Sequence, residues 1–136
     1  MKIKIIKFND ELITPKRAHY NDAGVDCYAL DNVELPPLKP IMIPLGFGLE
    51  VPDGYQAIIK PRSSMNAKGI ITQIGTIDSG YRGEIKAVLI NTGVKPFALL
   101  KGDKICQIII EPVILADLVE DLQNDRGAGG FGSTGK

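Results

Sequence analysis

Turn-forming residues divide this chain into short apolar segments, and their spacing limits the possible folds more than any other feature. The 136 residues include 15 glycines and 9 prolines, against the roughly 12% that these two residue types usually contribute together. Runs rich in isoleucine, valine and aromatic residues at 41–50, 55–60, 84–91 and 105–111 are separated by turn sequences such as Pro52-Asp53-Gly54. The pattern predicts a single all-β domain, a sandwich, jelly roll or barrel, and leaves no room for long helices.

Two segments allow a helical interpretation. Residues 63–68 are short and polar and follow Pro61, which predicts one helical turn with a serine hydroxyl available as its cap. Residues 113–122 place four apolar side chains at the i, i+3, i+4 and i+7 positions of an amphipathic helix. The periodicity alone does not decide between a helix and an extended segment there.

Charge and hydropathy exclude several classes of partner. Sixteen basic and sixteen acidic residues give a net charge of zero, so no overall field favours a nucleic acid or an anionic membrane. No segment approaches the ~18 apolar residues of a membrane span, and lysines interrupt the first ten residues, unlike a signal peptide. We therefore expect a cytoplasmic protein that binds neither nucleic acid nor membrane.

The two cysteines, Cys27 and Cys106, form no metal-binding pattern. They lie far apart in the sequence, outside any CxxC motif, and His19 is the only histidine in the chain. A structural zinc site needs a cluster of such ligands. We expect both cysteines to be buried free thiols in a reducing compartment.

The last eleven residues differ from the rest, which suggests a β domain at 1–125 and a glycine-rich arm at 126–136. The arm contains five glycines, two hydroxyl side chains, Phe131 and Arg126. Such a segment cannot build a core of its own and is typical of a flexible chain end. It also has the bare backbone N–H groups, hydroxyls and guanidinium that wrap a phosphate.

Several polar residues occur in sequence contexts that suit chemistry. Arg62, followed by two serines, suits phosphate binding, although a solvated arginine in a turn has the same pattern. Asp26 and Asp78 lie among small or apolar neighbours and suit either a hydrated magnesium ion, activation of water, or a simple Asx turn. Tyr81 suits an exposed ring in a hairpin or a cross-strand contact. Gln107 interrupts an apolar run, so its amide either ties strands together or faces a ligand.

Five segments occur in an order that closely resembles the motif pattern of the trimeric deoxyuridine triphosphate nucleotidohydrolases (dUTPases). The resemblance extends over nearly the whole chain, and the third and fifth segments are the most specific. The segments are Asp22-Ala-Gly-Val-Asp-Cys-Tyr-Ala-Leu30, Pro61-Arg-Ser-Ser-Met-Asn-Ala-Lys-Gly-Ile70, Gly75-Thr-Ile-Asp-Ser-Gly-Tyr-Arg-Gly-Glu84, Lys101-Gly-Asp-Lys-Ile-Cys-Gln107 and Arg126-Gly-Ala-Gly-Gly-Phe-Gly-Ser-Thr-Gly135.

The resemblance implies a jelly-roll-like β fold with one short helix, assembled as a homotrimer with active sites at the subunit interfaces. It implies hydrolysis of dUTP to dUMP and pyrophosphate by magnesium-assisted attack of water on the α-phosphorus. That reaction keeps uracil out of DNA and supplies dUMP for thymidylate synthesis. It also implies that residues 113–122 are an extended arm crossing to a neighbouring subunit, rather than a helix.

The third segment, by resemblance, holds the nucleoside. The hairpin at 75–81 would read the uracil edge largely through backbone groups, and Tyr81 would pack against the deoxyribose and exclude a 2′-hydroxyl. Asp78 matches the catalytic aspartate that activates water. The nucleoside-binding residues implied in this region are Gly75, Thr76, Ile77, Tyr81 and Lys86.

The remaining segments, by resemblance, bind the triphosphate. Gln107 matches a phosphate-contacting amide in the catalytic group, and Asp26 matches an acid that meets the Mg²⁺–triphosphate through water. Phe131 in the arm matches an aromatic that stacks on uracil, a contact worth ~1–3 kcal/mol in comparable sites. The phosphate-binding and arm residues implied are Arg62, Ser63, Ser64, Arg126, Gly132, Ser133 and Thr134, the arm residues closing the site when nucleotide is bound.

Two departures and two rival functions accompany the resemblance. Ser64 stands where the family commonly has glycine, and Thr72-Gln73 stand where it often has an asparagine. A dCTP deaminase shares the fold, but the form of the arm and Tyr81 argue against it. A non-catalytic nucleotide-binding regulatory protein is the other alternative, although the expected site residues are all present.

Overall fold

The computed structural model describes residues 1–121 together with Ala128 and Gly132. Strands and one short helix make up its regular structure, which confirms the predicted all-β class. The strands are β1 Ile5–Lys7, β2 Val25–Tyr28, β3 Val33–Leu35, β4 Ile41–Pro44, β5 Phe47–Leu49, β6 Tyr55–Lys60, β7 Ile70–Thr72, β8 Gly75–Ile77, β9 Lys86–Asn91, β10 Phe97–Leu99 and β11 Lys104–Pro112, and the helix is α1 Ser63–Ala67.

The strands pair only with partners that are distant in the sequence. The largest sheet has the order β2-β11-β6-β8 and the next has the order β4-β9-β7, while β1 pairs with β5 and β10 with β3. All seven pairings are antiparallel. Within the described residues no strand pairs with its immediate neighbour in the sequence. Long connections between antiparallel partners are typical of a jelly-roll-like topology.

The core is one cluster of apolar side chains drawn from both large sheets. Strand β9 shows how the sequence produces it, because its residues alternate between buried and more exposed positions. Side chains that alternate along a strand point to opposite faces of the sheet. Ala87 and Leu89 of β9 are therefore buried together with Ile59 of β6 and Ile108 of β11.

The two cysteines lie opposite each other on neighbouring strands. Cys106 of β11 is in register with Cys27 of β2, and both side chains are buried free thiols. A hydrogen bond with Cys106 and burial raise the pKa of the Cys27 thiol. The prediction of buried free thiols is confirmed.

The apolar run at 41–50 forms two strands rather than one. Between β4 and β5 the chain turns at Gly46, whose φ of 79° lies in the left-handed region that favours glycine. After this turn β5 pairs with β1, whereas β4 pairs with β9. The turn at Gly46 therefore takes the chain from the β4–β9 ladder to the β1–β5 ladder.

The predicted hairpin at 75–81 is wrong. Strand β8 pairs with β6, and β9 pairs with β4 and β7, so the turn at 78–81 connects two different sheets. The resemblance implied a hairpin here, and a strand followed by a turn begins a hairpin and a crossing between sheets alike.

Helix α1 confirms the predicted short helix, but a serine does not cap it. The N-cap residue is Arg62, which has an extended backbone and makes no capping hydrogen bond through its side chain. The Ser64 hydroxyl instead accepts a hydrogen bond from Arg62 Nη1 at 3.2 Å. Met65 is the residue that anchors the helix in the core.

The segment after β11 is not helical over residues 113–121. The Val113 N–H donates to the Gly54 carbonyl at 2.9 Å, and beyond it the apolar side chains of Leu115, Leu118 and Val119 are 80–97% exposed. An isolated helix this short is marginal in water. The helical alternative is therefore wrong for these residues, and Leu122 lies outside the described residues.

No helix in the described part of the chain is long and apolar enough to cross a membrane.

Candidate active site

A pocket of about 320 Å³ is formed around strand β8 and the turn that follows it. All six residues that the sequence assigned to the nucleoside and to water activation in this region line the pocket. They are Gly75, Thr76, Ile77, Asp78, Tyr81 and Lys86. The floor includes buried Ile59 and Ile85, and Met42 and Glu84 complete the lining.

Among the described residues, strand β8 has one unpaired backbone edge, and that edge borders this pocket. It is the last strand in its sheet, and Thr76 pairs with Ile58 of β6 on one side only. An edge strand presents a row of N–H and C=O groups without partners. The pocket wall therefore offers alternating backbone donors and acceptors to a flat polar ligand.

Tyr81 lies at the end of the turn, with its side chain 46% exposed. Its N–H donates to the Asp78 carbonyl at 3.1 Å, which closes the turn, and its hydroxyl donates to the Glu84 carbonyl at 2.9 Å. The expectation of an exposed ring is confirmed. Asp78 itself follows directly after β8 and is exposed at the pocket, where a carboxylate can reach water.

A second group of polar side chains surrounds Asp26 on β2. One carboxylate oxygen lies 3.0 Å from Arg62 Nε and the other lies 3.0 Å from Lys104 Nζ. The Asp26 side chain is only 12% exposed, so both pairs are partly shielded from water. Asp26 is thus an ion-paired strand residue, and its interpretation as an Asx-turn residue is wrong.

Arg62 connects Asp26 with the N-terminal end of helix α1. Besides the ion pair, its Nη1 donates to the Lys104 carbonyl and to the Ser64 hydroxyl, each at 3.2 Å. Ser63 and Ser64 are exposed in the first turn of α1. The Arg62 guanidinium thus contacts Asp26, the Lys104 carbonyl and the Ser64 hydroxyl, next to the end of β6.

Gln107 lies on β11 between Asp26 of β2 and Lys60 of β6. Its amide nitrogen donates to the Pro61 carbonyl at 2.9 Å. A Cβ placed on Gly24 would lie 2.0 Å from its amide oxygen, so a larger residue at position 24 would force this side chain to move. Gln107 therefore ties two strands together, in contact with the residue that precedes Arg62.

Lys104 and Glu84 are functional candidates that the sequence reasoning missed. Both lie inside the motif segments, but neither has a distinctive local pattern. Lys104 has the sequence context of a solvated lysine at a strand end, whereas its Nζ pairs with Asp26, two residues from its register partner Tyr28. Glu84 lines the pocket, and its Oε1 accepts the Gly46 N–H at 3.0 Å.

The described residues contain no group of three or more histidine, cysteine or acidic side chains that could hold a metal ion. Both oxygens of Asp26 already face cations. A divalent ion would therefore need most of its oxygen ligands from outside the protein, as Mg²⁺ commonly takes them from phosphates and water.

The pocket lining and the Asp26 group are two distinct sets of residues. The two sets of residues do not overlap, and none of the hydrogen bonds or ion pairs found in residues 1–121 joins them. Gly132 is exposed with a φ of 78°. The arm residues Arg126, Phe131, Ser133 and Thr134 lie outside the described residues.

Comparison with known proteins gives the same family along the whole chain. The sequence model of the dUTPase family matches residues 10–135. The deoxyuridine 5′-triphosphate nucleotidohydrolase of Gloeothece citriformis is 43% identical, over 99% of this chain and 97% of its own length. That of Crocosphaera subtropica is 44% identical, over 99% of both chains.

Solved structures match the fold at lower identity. A point mutant of the Staphylococcus bacteriophage 80alpha dUTPase, solved with dUpNHpp, superposes with a TM-score of 0.91 over 99% of both chains at 22% identity. A point mutant of the dUTPase from phage phi11 of S. aureus, described with a structural Mg(II) ion, gives a TM-score of 0.84 at 21% identity, over 90% of this chain and 98% of that one. Family profile, relatives and fold agree, and the chain belongs to the dUTPase family.

Proposed function

We propose that this chain hydrolyses dUTP to dUMP and pyrophosphate. The observation that carries the proposal is the pocket beside the outer edge of β8, which is lined by Gly75, Thr76, Ile77, Asp78, Tyr81 and Lys86. Relatives that are more than 40% identical are named for this reaction. The product dUMP is a precursor for thymidylate, and removal of dUTP keeps uracil out of DNA.

The backbone edge of β8 explains selection of the base. The edge of uracil offers an acceptor, a donor and an acceptor in a row, and backbone C=O and N–H groups of residues 75–77 match this pattern. Cytosine presents an amino group and an unprotonated ring nitrogen, which leaves backbone groups without partners. The Tyr81 ring beside the sugar disfavours a 2′-hydroxyl.

Asp78 orients and deprotonates the attacking water. Its carboxylate follows β8 directly and is exposed at the pocket, where it can accept a proton from water. A general base of this kind contributes roughly 10²- to 10⁴-fold to the rate. Attack on the α-phosphorus then releases pyrophosphate.

The Asp26 group binds the triphosphate. Arg62, Lys104 and the two serine hydroxyls provide positive charge and donors, while Gln107 holds the strand end in place. Asp26 would meet Mg²⁺ through water, and the ion, held mainly by the phosphates, would supply neutralisation of their charge. Arg126, Phe131, Gly132, Ser133 and Thr134 belong to an arm, 126–136, that closes over the nucleotide and excludes water.

A complete site needs more than one copy of the chain, and we infer a homotrimer. The pocket lining and the Asp26 group share no residue, which is consistent with an arrangement in which a neighbouring copy supplies one of them. The exposed apolar segment at 114–119 fits a second copy, because each chain also has an apolar groove of about 510 Å³ between β1 and β11. The segment of one copy can therefore pack into the groove of another.

Light scattering tests the assembly. We expect a mass three times the 14.7 kDa of one chain. Leu118→Asp should lower that mass, and the matched control Val94→Asp, which is equally exposed at 92%, should not. A monomeric wild-type protein would contradict the shared site.

A substrate panel tests the function. The purified protein with Mg²⁺ is given dUTP, dCTP, dTTP or UTP, and pyrophosphate and ammonia are measured. Pyrophosphate is expected to form from dUTP much faster than from UTP, dCTP or dTTP. Ammonia from dCTP would establish the deaminase instead, and binding without turnover would establish the regulatory protein.

A further inference from the structure

The Tyr81 ring lies directly over Gly83. A Cβ on Gly83 would lie 2.5 Å from Tyr81 Oη and 2.7 Å from Cζ. Real Cβ atoms do not approach other atoms this closely, so any larger residue at position 83 would displace the ring. The hydroxyl at the tip of the ring donates to the Glu84 carbonyl at 2.9 Å. The hydroxyl end of the ring therefore packs against Gly83 and is hydrogen-bonded to Glu84.

Glu84 is in turn fastened to the turn between β4 and β5. Its Oε1 accepts the Gly46 N–H at 3.0 Å. Beside it, Leu45 N–H donates to the Ile85 carbonyl at 2.9 Å, and Ile85 N–H donates to the Phe47 carbonyl at 2.8 Å. Three hydrogen bonds thus hold residues 84–85 against residues 45–47.

Close backbone packing supports this attachment. A Cβ on Gly48 would lie 2.5 Å from the Gly83 carbonyl oxygen. Gly46 has the positive φ that allows its N–H to face the Glu84 carboxylate. Glycines on both sides therefore allow the pocket rim to contact β5 directly.

We propose that Gly83 and Glu84 are positioning residues that lock the Tyr81 ring and thereby set discrimination between 2′-deoxy and 2′-hydroxy nucleotides. The inference rests on the proposed function, in which the ring faces the sugar. The Tyr81 ring can exclude a 2′-hydroxyl group only if the ring is held in place, because a mobile ring would move aside and relieve the steric repulsion. The restraint here is the chain of contacts from Gly46 through Glu84 to Tyr81.

The test compares kcat/KM for dUTP and UTP in wild type, Glu84→Ala, Glu84→Gln, Tyr81→Phe and Gly83→Ala. Glu84→Ala and Tyr81→Phe each remove one link, and we expect the dUTP/UTP ratio to fall about five- to tenfold, as expected for one lost hydrogen bond. Glu84→Gln keeps an oxygen that can accept the Gly46 N–H, so its ratio should stay within about twofold of wild type. Gly83→Ala displaces the ring and should lower the ratio at least as much as Tyr81→Phe.

The ratio separates positioning from a general structural role. Loss of folding would reduce turnover of both substrates together, with a lower melting temperature and an unchanged ratio. An unchanged ratio in Glu84→Ala and Tyr81→Phe, in a wild-type background that hydrolyses dUTP, overturns the positioning role. A wild-type protein without dUTP hydrolysis overturns the proposed function instead.

Discussion

Replacing Asp26 by asparagine tests whether the ion-paired group at the end of β2 is a unit. Asparagine has nearly the same shape as aspartate but no charge. The change leaves Arg62 Nε and Lys104 Nζ, each 3.0 Å from a carboxylate oxygen in the native protein, beside a neutral amide. The protein then keeps two neighbouring cations without their shared anion.

The expected loss of stability follows from the exposure of each partner. A hydrogen bond to a charged group contributes about 1.5–3 kcal/mol, and the Arg62 side chain, at 25% exposure, should lose most of that. The Lys104 side chain is 39% exposed, so it can turn toward water and should lose about 0–1 kcal/mol. The sum is about 1–4 kcal/mol, or roughly 4–14 °C in melting temperature for a domain of this size.

Urea unfolding, followed by circular dichroism at one protein concentration, measures this loss. A fixed concentration is needed because the apparent stability of an oligomer depends on it. Asp53→Asn is the matched control, since Asp53 is exposed in a turn; it should change the free energy of unfolding by less than about 0.5 kcal/mol.

A double-mutant cycle with Lys104→Met separates coupling from local effects. Removing Lys104 in the Asp26→Asn background should cost less than in wild type, because the charge it once balanced is gone. We expect a coupling energy of about 0.5–1 kcal/mol. An equal free energy of unfolding for Asp26→Asn and Asp53→Asn, together with a coupling energy of zero, would show that Asp26, Arg62 and Lys104 do not act as a unit.

Three further predictions concern catalysis, the arm and the thiols. Asp78→Asn should lower kcat about 10²- to 10⁴-fold while dUTP still binds in a calorimetric titration; near-normal turnover would remove Asp78 from the role of base. Deleting 126–136 should leave the far-ultraviolet circular dichroism and the oligomer mass unchanged but abolish most turnover, and a full rate in the truncated protein would show that the arm is dispensable. A hydrogen bond with Cys106 and burial raise the pKa of the Cys27 thiol. The native protein should therefore resist a thiol reagent at about pH 8, and both cysteines should react after denaturation. Rapid labelling of the native protein would contradict the buried pair.

Local features of the sequence predicted the type of structure well. Strand β6 occupies the predicted run at 55–60, and strands β9 and β11 lie within one or two residues of theirs. The short three-residue strands such as β7 and β8 had no distinct run, because they contain too few residues to show a period.

The predicted hairpin and the predicted continuous strand at 41–50 failed for a related reason. Each depended on which strand becomes the partner, and the partner here is never the neighbouring strand in the described residues. Turn chemistry predicts that the chain changes direction, but not which ladder it enters next.

The all-β class, the family motifs and the residue types that can bind a nucleotide are all predictable from the order of residues. These depend on local spacing and residue type, which a sequence displays directly. Two contacts become visible only in the folded chain. Arg62 and Lys104, 42 residues apart, form ion pairs with the same carboxylate, that of Asp26. The Glu84 carboxylate accepts a hydrogen bond from Gly46, 38 residues earlier. Such contacts arise because burial of both large sheets selects one register among many, and charged groups far apart in the chain then meet wherever that register brings them together.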